Sequence, residues 1–391
     1  MRRDTGTLVL LGAAHSLNHS LFLVLPPLLG EISRDLGASF QSIGFIATVS
    51  FLLYGLGALV GGPLSDRFGE VRVISLSIAL AGASTAVFLL PKSLGVFSAG
   101  MYLIAAWASF YHPTANTLIS KRFVENTGGA MGVHGAAGSL GQILTPVVAY
   151  VLGIYLDWKF AFAFVGLLSV VVGLLLLRIP SPDGQPQAEK ASLRDLLALP
   201  NIWIIVVFNV FIGLYQRGVE LFFPAFLTAS RGFSGEMAAV ASSAALLFAV
   251  LGQLVGGWAT DRWSAERVLA VASMGMVAGI LLLLLSPFHI LGTALFVVVF
   301  GIAFYGHQPA GTSLLGKVSP KEMMGTAYGL MFFFAFGLGS VSTTIVGYVA
   351  DAFNLERAFW VMALFATMAL VVALTIPRVV RLQPSGREVT Q

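Results

Sequence analysis

Long apolar runs separated by short polar segments form the main pattern of this 391-residue chain. Twelve runs, from Thr7–Leu29 to Ala358–Ile376, each reach the roughly 20 mainly apolar residues that cross a bilayer as a helix. The runs are too long for barrel strands, and only helices or a closed barrel satisfy the backbone within lipid. The pattern therefore predicts an all-α integral membrane protein with twelve transmembrane helices.

One longer polar segment divides these helices into two sets of six. Residues 180–199 contain Ser-Pro-Asp-Gly-Gln-Pro-Gln and end immediately before Pro200. Pro and Gly interrupt a helix, and polar residues keep the segment in water. We therefore predict a six-helix bundle over residues 1–179, a cytoplasmic linker over 180–199 and a second six-helix bundle over 200–391.

A charged turn recurs at about half the chain length. Asp66-Arg67 follows the second apolar run, and Asp261-Arg262 lies 195 residues later between two further runs. Pro26 and Pro224 also correspond at a similar offset. Repetition over such a period indicates a duplicated unit, so the two bundles are expected to be pseudo-symmetric.

Composition narrows the functional classes. The chain is 57% hydrophobic and 10% charged, whereas soluble domains carry about 25% charged residues. It contains no cysteine, its net charge is only +4, and it has no Gly-rich phosphate-binding motif of the P-loop type. We therefore expect neither an enzyme with catalytic residues, nor a cofactor, nor a nucleic-acid partner.

Positive charges predict the orientation in the membrane. If the N-terminus is cytoplasmic, sixteen of the 22 Lys and Arg residues lie on the cytoplasmic side, and Arg217 lies within a predicted helix. Cytoplasmic loops carry an excess of Lys and Arg, so both termini and both Asp-Arg turns are expected to be cytoplasmic, at the inner (plasma) membrane. The remaining basic residues fall outside: Arg34, Lys92, Lys159, Arg231 and Arg357.

The turn Gly62-Pro63-Leu64-Ser65-Asp66-Arg67-Phe68-Gly69, followed by Arg72, resembles the signature of the major facilitator superfamily. Six plus six helices and a cytoplasmic linker fit the same family. Ala14-His15-Ser16-Leu17-Asn18-His19 and Phe110-Tyr111-His112-Pro113 are similar to the fosmidomycin-resistance branch of drug exporters. At His19 and Thr114 the chain differs from that branch, which tends to carry acidic residues there. The resemblance implies the major facilitator fold, a monomer, and helices one, four, seven and ten around a central cavity.

Polar residues within the predicted helices concentrate on those four helices. Placing a charged side chain in a bilayer costs free energy, so such side chains usually face cavities or charged partners. A carboxyl group in a poorly hydrated cavity can exchange protons near neutral pH, so Glu220 is a candidate for proton coupling. Arg217 could bind an anionic substrate, although the two could instead form a structural pair three residues apart. The candidates for substrate or proton binding are His15, Asn18, His19, His112, Arg217, Glu220, His307 and Gln308.

The histidines allow several interpretations. His15 and His19 lie four residues apart on one helical face, which would suit a metal ion, but no third carboxylate or thiolate ligand is evident, and no metal is expected. They could instead contact substrate, exchange protons or hydrogen-bond within the bundle. His112-Pro113 and His307-Gln308-Pro309 place prolines at related positions in the two halves, where they would shape the helices or a binding region.

We therefore expect a secondary transporter that moves a small anionic or zwitterionic organic molecule by alternating access, as a proton-coupled drug antiporter. Proton-coupled uptake of an organic anion or nutrient is the alternative, and metal-ion transport through the His15/His19 region is a minor one. Protons and membrane lipids are its other expected partners. A cytoplasmic gate is expected at Asp66, Arg67, Arg72, Asp261 and Arg262.

Overall fold

The computed structural model describes residues 2–123, 127–180, 198–319 and 324–381. Within these ranges, twelve helices are long and apolar enough to cross a membrane, and no β-strand is present. The first six are α1 (Thr5–Leu36), α2 (Phe40–Gly61), α3 (Glu70–Leu89), α4 (Leu94–Ile119), α5 (Val133–Tyr155) and α6 (Trp158–Leu176). The second six are α7 (Asn201–Arg231), α8 (Gly235–Arg262), α9 (Ala265–Leu285), α10 (His289–Val318), α11 (Ala327–Ala352) and α12 (Leu355–Pro377).

This architecture confirms the predicted all-α fold with twelve transmembrane helices. The domain boundaries at residues 179 and 200 stay a prediction, and most of the expected linker, 181–197, lies outside the described residues.

Helix ends repeat at the same offset as the Asp-Arg turns. Gly37 ends α1 with φ 57° and Gly232 ends α7 with φ 72°, a left-handed conformation that glycine adopts without steric cost. Ser39 and Ser234 then cap α2 and α8, each accepting a hydrogen bond from the backbone N–H three residues on. Both pairs are 195 residues apart, so the duplication extends to the local signals that start and stop the helices.

Several helices are interrupted near their middle. The helical segment Arg2–Leu23 gives way at Val24 to Leu25–Leu36, which begins with Pro26 and Pro27. Helix α4 stops at Ala108 and resumes at Tyr111. A π-helical turn at Phe333–Gly337 interrupts α11.

The two predicted proline sites of α4 and α10 differ in structure. Pro113 lies in the first turn of the resumed α4 helix, where its missing N–H leaves no helical bond unmade. By contrast, α10 stays helical through Pro309. The side-chain amide of Asn18 donates to the free carbonyl of Ala108 at 3.0 Å, which stabilises the interruption in α4.

One end of the bundle joins the two halves through α2 and α11. The Asp351 carboxylate accepts hydrogen bonds from the backbone N–H groups of Phe40 at 3.1 Å and Gln41 at 2.6 Å. Deeper along the same helices, Thr48 donates to the Ser340 carbonyl at 2.8 Å. The carboxylate of one half thus caps a helix of the other half, where unpaired N–H groups favour an anion.

Candidate functional site

Two cavities lie between the halves and share three lining residues, Leu23, Pro26 and Glu220. The first is lined by the polar side chains of His19, Tyr54, Arg217 and Glu220 and by aromatic rings. The second is lined by Glu220 together with Gln216, Ser242 and Tyr305. A carboxylate therefore connects two partly apolar spaces in the middle of the membrane-spanning region.

Arg217 and Glu220 form an ion pair in the first cavity. The Arg217 Nη1 lies 2.6 Å from the Glu220 Oε2, across one turn of α7. The arginine side chain is 7% exposed and the glutamate side chain 22% exposed. The pairing that the i, i+3 spacing predicts is therefore present, and Glu220 retains access to the cavity.

Two aromatic rings from opposite halves enclose Arg217. Its guanidinium carbon lies 4.2 Å from the ring centre of Phe51 on α2 and 4.5 Å from that of Phe336 on α11. Both distances fall within the range of cation–π attraction. Among the described residues, the buried Nε–H of Arg217 finds no hydrogen-bond acceptor. The guanidinium is thus held in one orientation by the two rings and by Glu220.

Histidines from three helices of the first half meet beside this cavity. The Nε2 atoms of His15 and His19 are 3.1 Å apart, and their rings lie 5.0 and 5.1 Å from that of His112, between centres. His134 of α5 stacks on His15 with ring centres 4.3 Å apart. His15 Nδ1 donates to the backbone carbonyl of His134 at 3.0 Å. The structure therefore brings together three of the predicted candidates, and His134 packs against them.

Asn18 has a mainly structural environment. It is fully buried, donates to the Ala108 carbonyl, and accepts a 2.7 Å hydrogen bond from the Tyr54 hydroxyl. Tyr54 in turn lines the first cavity. Asn18 thus holds Tyr54 and the interrupted part of α4 in place through these two hydrogen bonds.

The two candidates on α10 lie apart from this group. His307 is buried against the rings of Phe208 and Phe304, and the Gln308 side chain accepts a 3.3 Å hydrogen bond from Gln253. Neither residue is among those lining the two cavities. Their assignment to the substrate site stays a prediction.

The predicted gate residues lie at the end of the bundle opposite Asp351. Arg67, Arg72, Asp261 and Arg262 are exposed. Arg67 lies 5.2 Å from the centre of the neighbouring Phe68 ring, and Arg262 lies 4.9 Å from that of Trp258. The side chain of Asp66 lies outside the described residues. The ring contacts of Arg67 and Arg262 are thus made within their own halves.

Sequence reasoning missed several residues of this site. Phe51 and Phe336 are apolar residues in apolar helices, and only the position of Arg217 marks them. Tyr54 follows Phe51 by one turn and was a detectable polar group in an apolar run. Asp351 was also visible as an acidic residue at a helix end, but its partner is 310 residues away in the chain.

The family model described as Major Facilitator Superfamily matches residues 8–344. The chain belongs to this superfamily. Its members are transporters of small molecules, which agrees with the membrane-spanning fold and the central cavities. The bacterial relatives and the twelve helices fit a multi-pass protein of the inner membrane.

Similar members of the superfamily have names that describe different activities. The glycerol-3-phosphate transporter of Bacillus subtilis (strain 168) is 23% identical over 86% of this chain and 84% of its own length. The fosmidomycin resistance protein of Escherichia coli (strain K12) is 23% identical over 95% of this chain and 92% of its own length. The second relative confirms the predicted similarity to the fosmidomycin-resistance branch.

A solved structure supports the fold directly. A bacterial homologue of the human lysosomal transporter Spinster, in an inward-facing and unoccupied conformation, superposes with a TM-score of 0.83 at 17% identity. The match covers 98% of this chain and 99% of the other. Two pseudo-symmetric six-helix bundles are therefore the architecture of this protein.

Proposed function

We propose that this transporter exports a small organic anion or zwitterion in exchange for protons, by alternating access, as a monomer in the lipid of the inner membrane. The observation that carries the proposal is Arg217, a buried cation held between rings of the two halves, whose Nε–H has no acceptor among the described residues. A guanidinium recognises carboxylate or phosphate groups through directed hydrogen bonds. Because Phe51 and Phe336 belong to different halves, a ligand at Arg217 would contact both bundles.

The direction of transport rests on the relatives. The relative named as a resistance protein supports export. The relative named as a glycerol-3-phosphate transporter supports an anionic substrate, which the second candidate, proton-coupled uptake of an organic anion, shares. Both involve an anionic or zwitterionic molecule, so they share the role proposed for Arg217.

The excess of basic residues supports an orientation with both termini in the cytoplasm. In this orientation the α2–α11 contact at Asp351 faces outward, and the Asp-Arg turns face the cytoplasm. The contacts across the halves at Asp351 and Thr48, with exposed residues at the opposite end, then fit a state that opens inward. The bundles over 1–179 and 200–391 would move as units around the cavity.

Glu220→Gln is expected to abolish proton-driven transport and to preserve the folded protein. The amide keeps the shape and can still accept a hydrogen bond from Arg217, but it cannot exchange a proton. We would measure transport in proteoliposomes under an imposed pH gradient, with a panel of small carboxylates and phosphate esters. Substrate exchange without the gradient is expected to persist in the variant.

Glu236→Gln is a suitable control because Glu236 is an exposed acidic residue at the start of α8. Its proton-driven transport is expected to equal that of the wild type. Undiminished gradient-driven transport by Glu220→Gln would exclude Glu220 as the coupling group. A panel in which no anion is transported by the wild type would count against the proposed function itself.

Substitutions at the two ends of the bundle are expected to shift the conformational equilibrium in opposite directions. Asp351→Ala removes the carboxylate that holds Phe40 and Gln41, and so favours outward opening. Asp66→Asn weakens the proposed cytoplasmic gate and favours inward opening. For the exposed Asp351 we expect a change of about 1 kcal/mol, or roughly fivefold in population. Spin-label distances across each end measure both shifts. Equal distances in Asp351→Ala and wild type would show that the Asp351 contact does not hold the outer end closed.

A further inference from the structure

Three imidazoles of the first half lie close enough to coordinate one ion. The coordinating nitrogens of His15, His19 and His112 lie within 4.8 Å of one another. In a tetrahedral site with zinc–nitrogen bonds of about 2.0–2.1 Å, ligand nitrogens are about 3.3 Å apart. His15 and His19 already have this separation, at 3.1 Å. Rotation of the His112 side chain by a small amount would complete the set.

The surroundings of His15 prepare its Nε2 as a ligand. A backbone carbonyl can only accept a hydrogen bond, so the contact with His134 places the proton of neutral His15 on Nδ1. The lone pair of His15 then lies on Nε2, directed at His19. A histidine that donates its other nitrogen to a carbonyl is the usual arrangement around a bound metal.

The three ligands leave coordination positions open toward the first cavity. His19 lines this cavity, and all three histidines are only partly buried. Three histidines with a free fourth position form a familiar metal site in proteins. Because the ligands are neutral imidazoles, the site suits zinc, cobalt, nickel or copper rather than magnesium or calcium, which prefer oxygen ligands.

The nearby charges permit a cation at this place. Arg217 shares the cavity with His19, and its positive charge alone would repel a metal ion. Glu220 compensates that charge at 2.6 Å and faces the same cavity. A divalent ion at the histidines therefore meets a neutral ion pair, and its open positions can take water or an anionic ligand.

We propose that His15, His19 and His112 form a binding site for a divalent transition-metal ion of the zinc, cobalt and nickel type. The site goes beyond the proposed anion transport, because it concerns the histidines of α1 and α4 and not Arg217. The sequence alone showed two histidines without a third ligand. The interruption of α4 brings the third, His112, into reach.

Cobalt binding tests this proposal in the purified full-length protein. The chain is prepared in detergent with an affinity tag that contains no histidine, stripped with a chelator and titrated with Co²⁺. We expect saturable binding with the intense visible absorption of tetrahedral cobalt, reversed by Zn²⁺. His19→Gln and His112→Gln should each lower the affinity by more than the ~10–100-fold typical of losing an outer-shell partner.

His289→Gln is the matched control, because His289 is exposed at the start of α10. The affinity of this variant for Co²⁺ should equal that of the wild type.

A second measurement applies if a histidine variant does not fold. Electron paramagnetic resonance of Cu²⁺ bound to the wild type counts the nitrogen ligands, and three are expected. The site would be overturned if the wild type shows no saturable Co²⁺ binding, or if His19→Gln and His112→Gln both bind Co²⁺ as tightly as the wild type. Neither outcome affects anion transport, which is measured without added metal.

Discussion

Arg217→Lys is expected to weaken substrate binding by about 10- to 100-fold, equivalent to roughly 1.4–2.8 kcal/mol, in a protein that still folds. Lysine preserves a positive charge beside Glu220, so the carboxylate does not become an uncompensated charge in the membrane. It loses the planar fork that binds carboxylate or phosphate, and the flat surface that Phe51 and Phe336 enclose. Direct binding of a labelled substrate, or its effect on thermal stability, measures the difference.

Arg231→Lys provides a matched control for this prediction. Arg231 is also stacked on an aromatic ring, 4.7 Å from the centre of Phe226, but it lies at the end of α7 and outside both cavities. Its substitution is expected to leave substrate affinity unchanged. If Arg217→Lys binds substrate as tightly as the wild type, Arg217 is only the counter-ion of Glu220, and recognition must reside elsewhere.

Gly44→Val is expected to disfavour closure at the Asp351 end and to slow transport. A Cβ built on Gly44 would overlap the backbone carbonyl of Thr343 on α11. Because neither backbone can move aside without separating α2 from α11, we expect the closed state to lose about 1–3 kcal/mol, or roughly 5- to 150-fold in population. Substrate exchange in proteoliposomes should fall accordingly.

The conformational part of this prediction can be measured without removing native thiols, because the chain has no cysteine. Spin labels at positions 34 and 353 report the Asp351 end, and labels at 72 and 267 report the other end. Gly30→Val is the control, since a Cβ at Gly30 meets no atom within 4 Å. Unchanged distances in Gly44→Val would show that the close approach of α2 and α11 is not required.

The fold could be predicted because a bilayer permits few kinds of backbone structure. Long apolar runs in a bilayer must form helices, and the repeated Asp-Arg turn indicated the duplication. The local caps agree with this, since Gly37 and Gly232, like Ser39 and Ser234, have the same spacing as the turns. Predicted helices differ from the observed ones mainly at their ends, where polar residues such as Arg34 extend α1 beyond its apolar run.

The site could be predicted only where partners are close in sequence. Arg217 and Glu220 lie one turn apart, and so do His15 and His19, so helical geometry alone places each pair together. The contact of His112 with His15 depends on how α4 is interrupted. Likewise, the enclosure of Arg217 by Phe336 depends on a π-helical turn in α11. The spacing of residues within one helix does not predict either of these contacts between helices.

The histidine cluster has a consequence for biosynthesis. All its members, with Asn18 and Tyr54, lie within the first 134 residues, and chains are made from the N-terminus at ~5–20 residues per second. The cluster can therefore assemble in the membrane roughly 4 to 17 s before Arg217 leaves the ribosome. During that interval His15 and Asn18 can already donate hydrogen bonds within the first half, to the carbonyls of His134 and Ala108. Two polar side chains of the nascent first half thus have their partners before any residue of the second half is made.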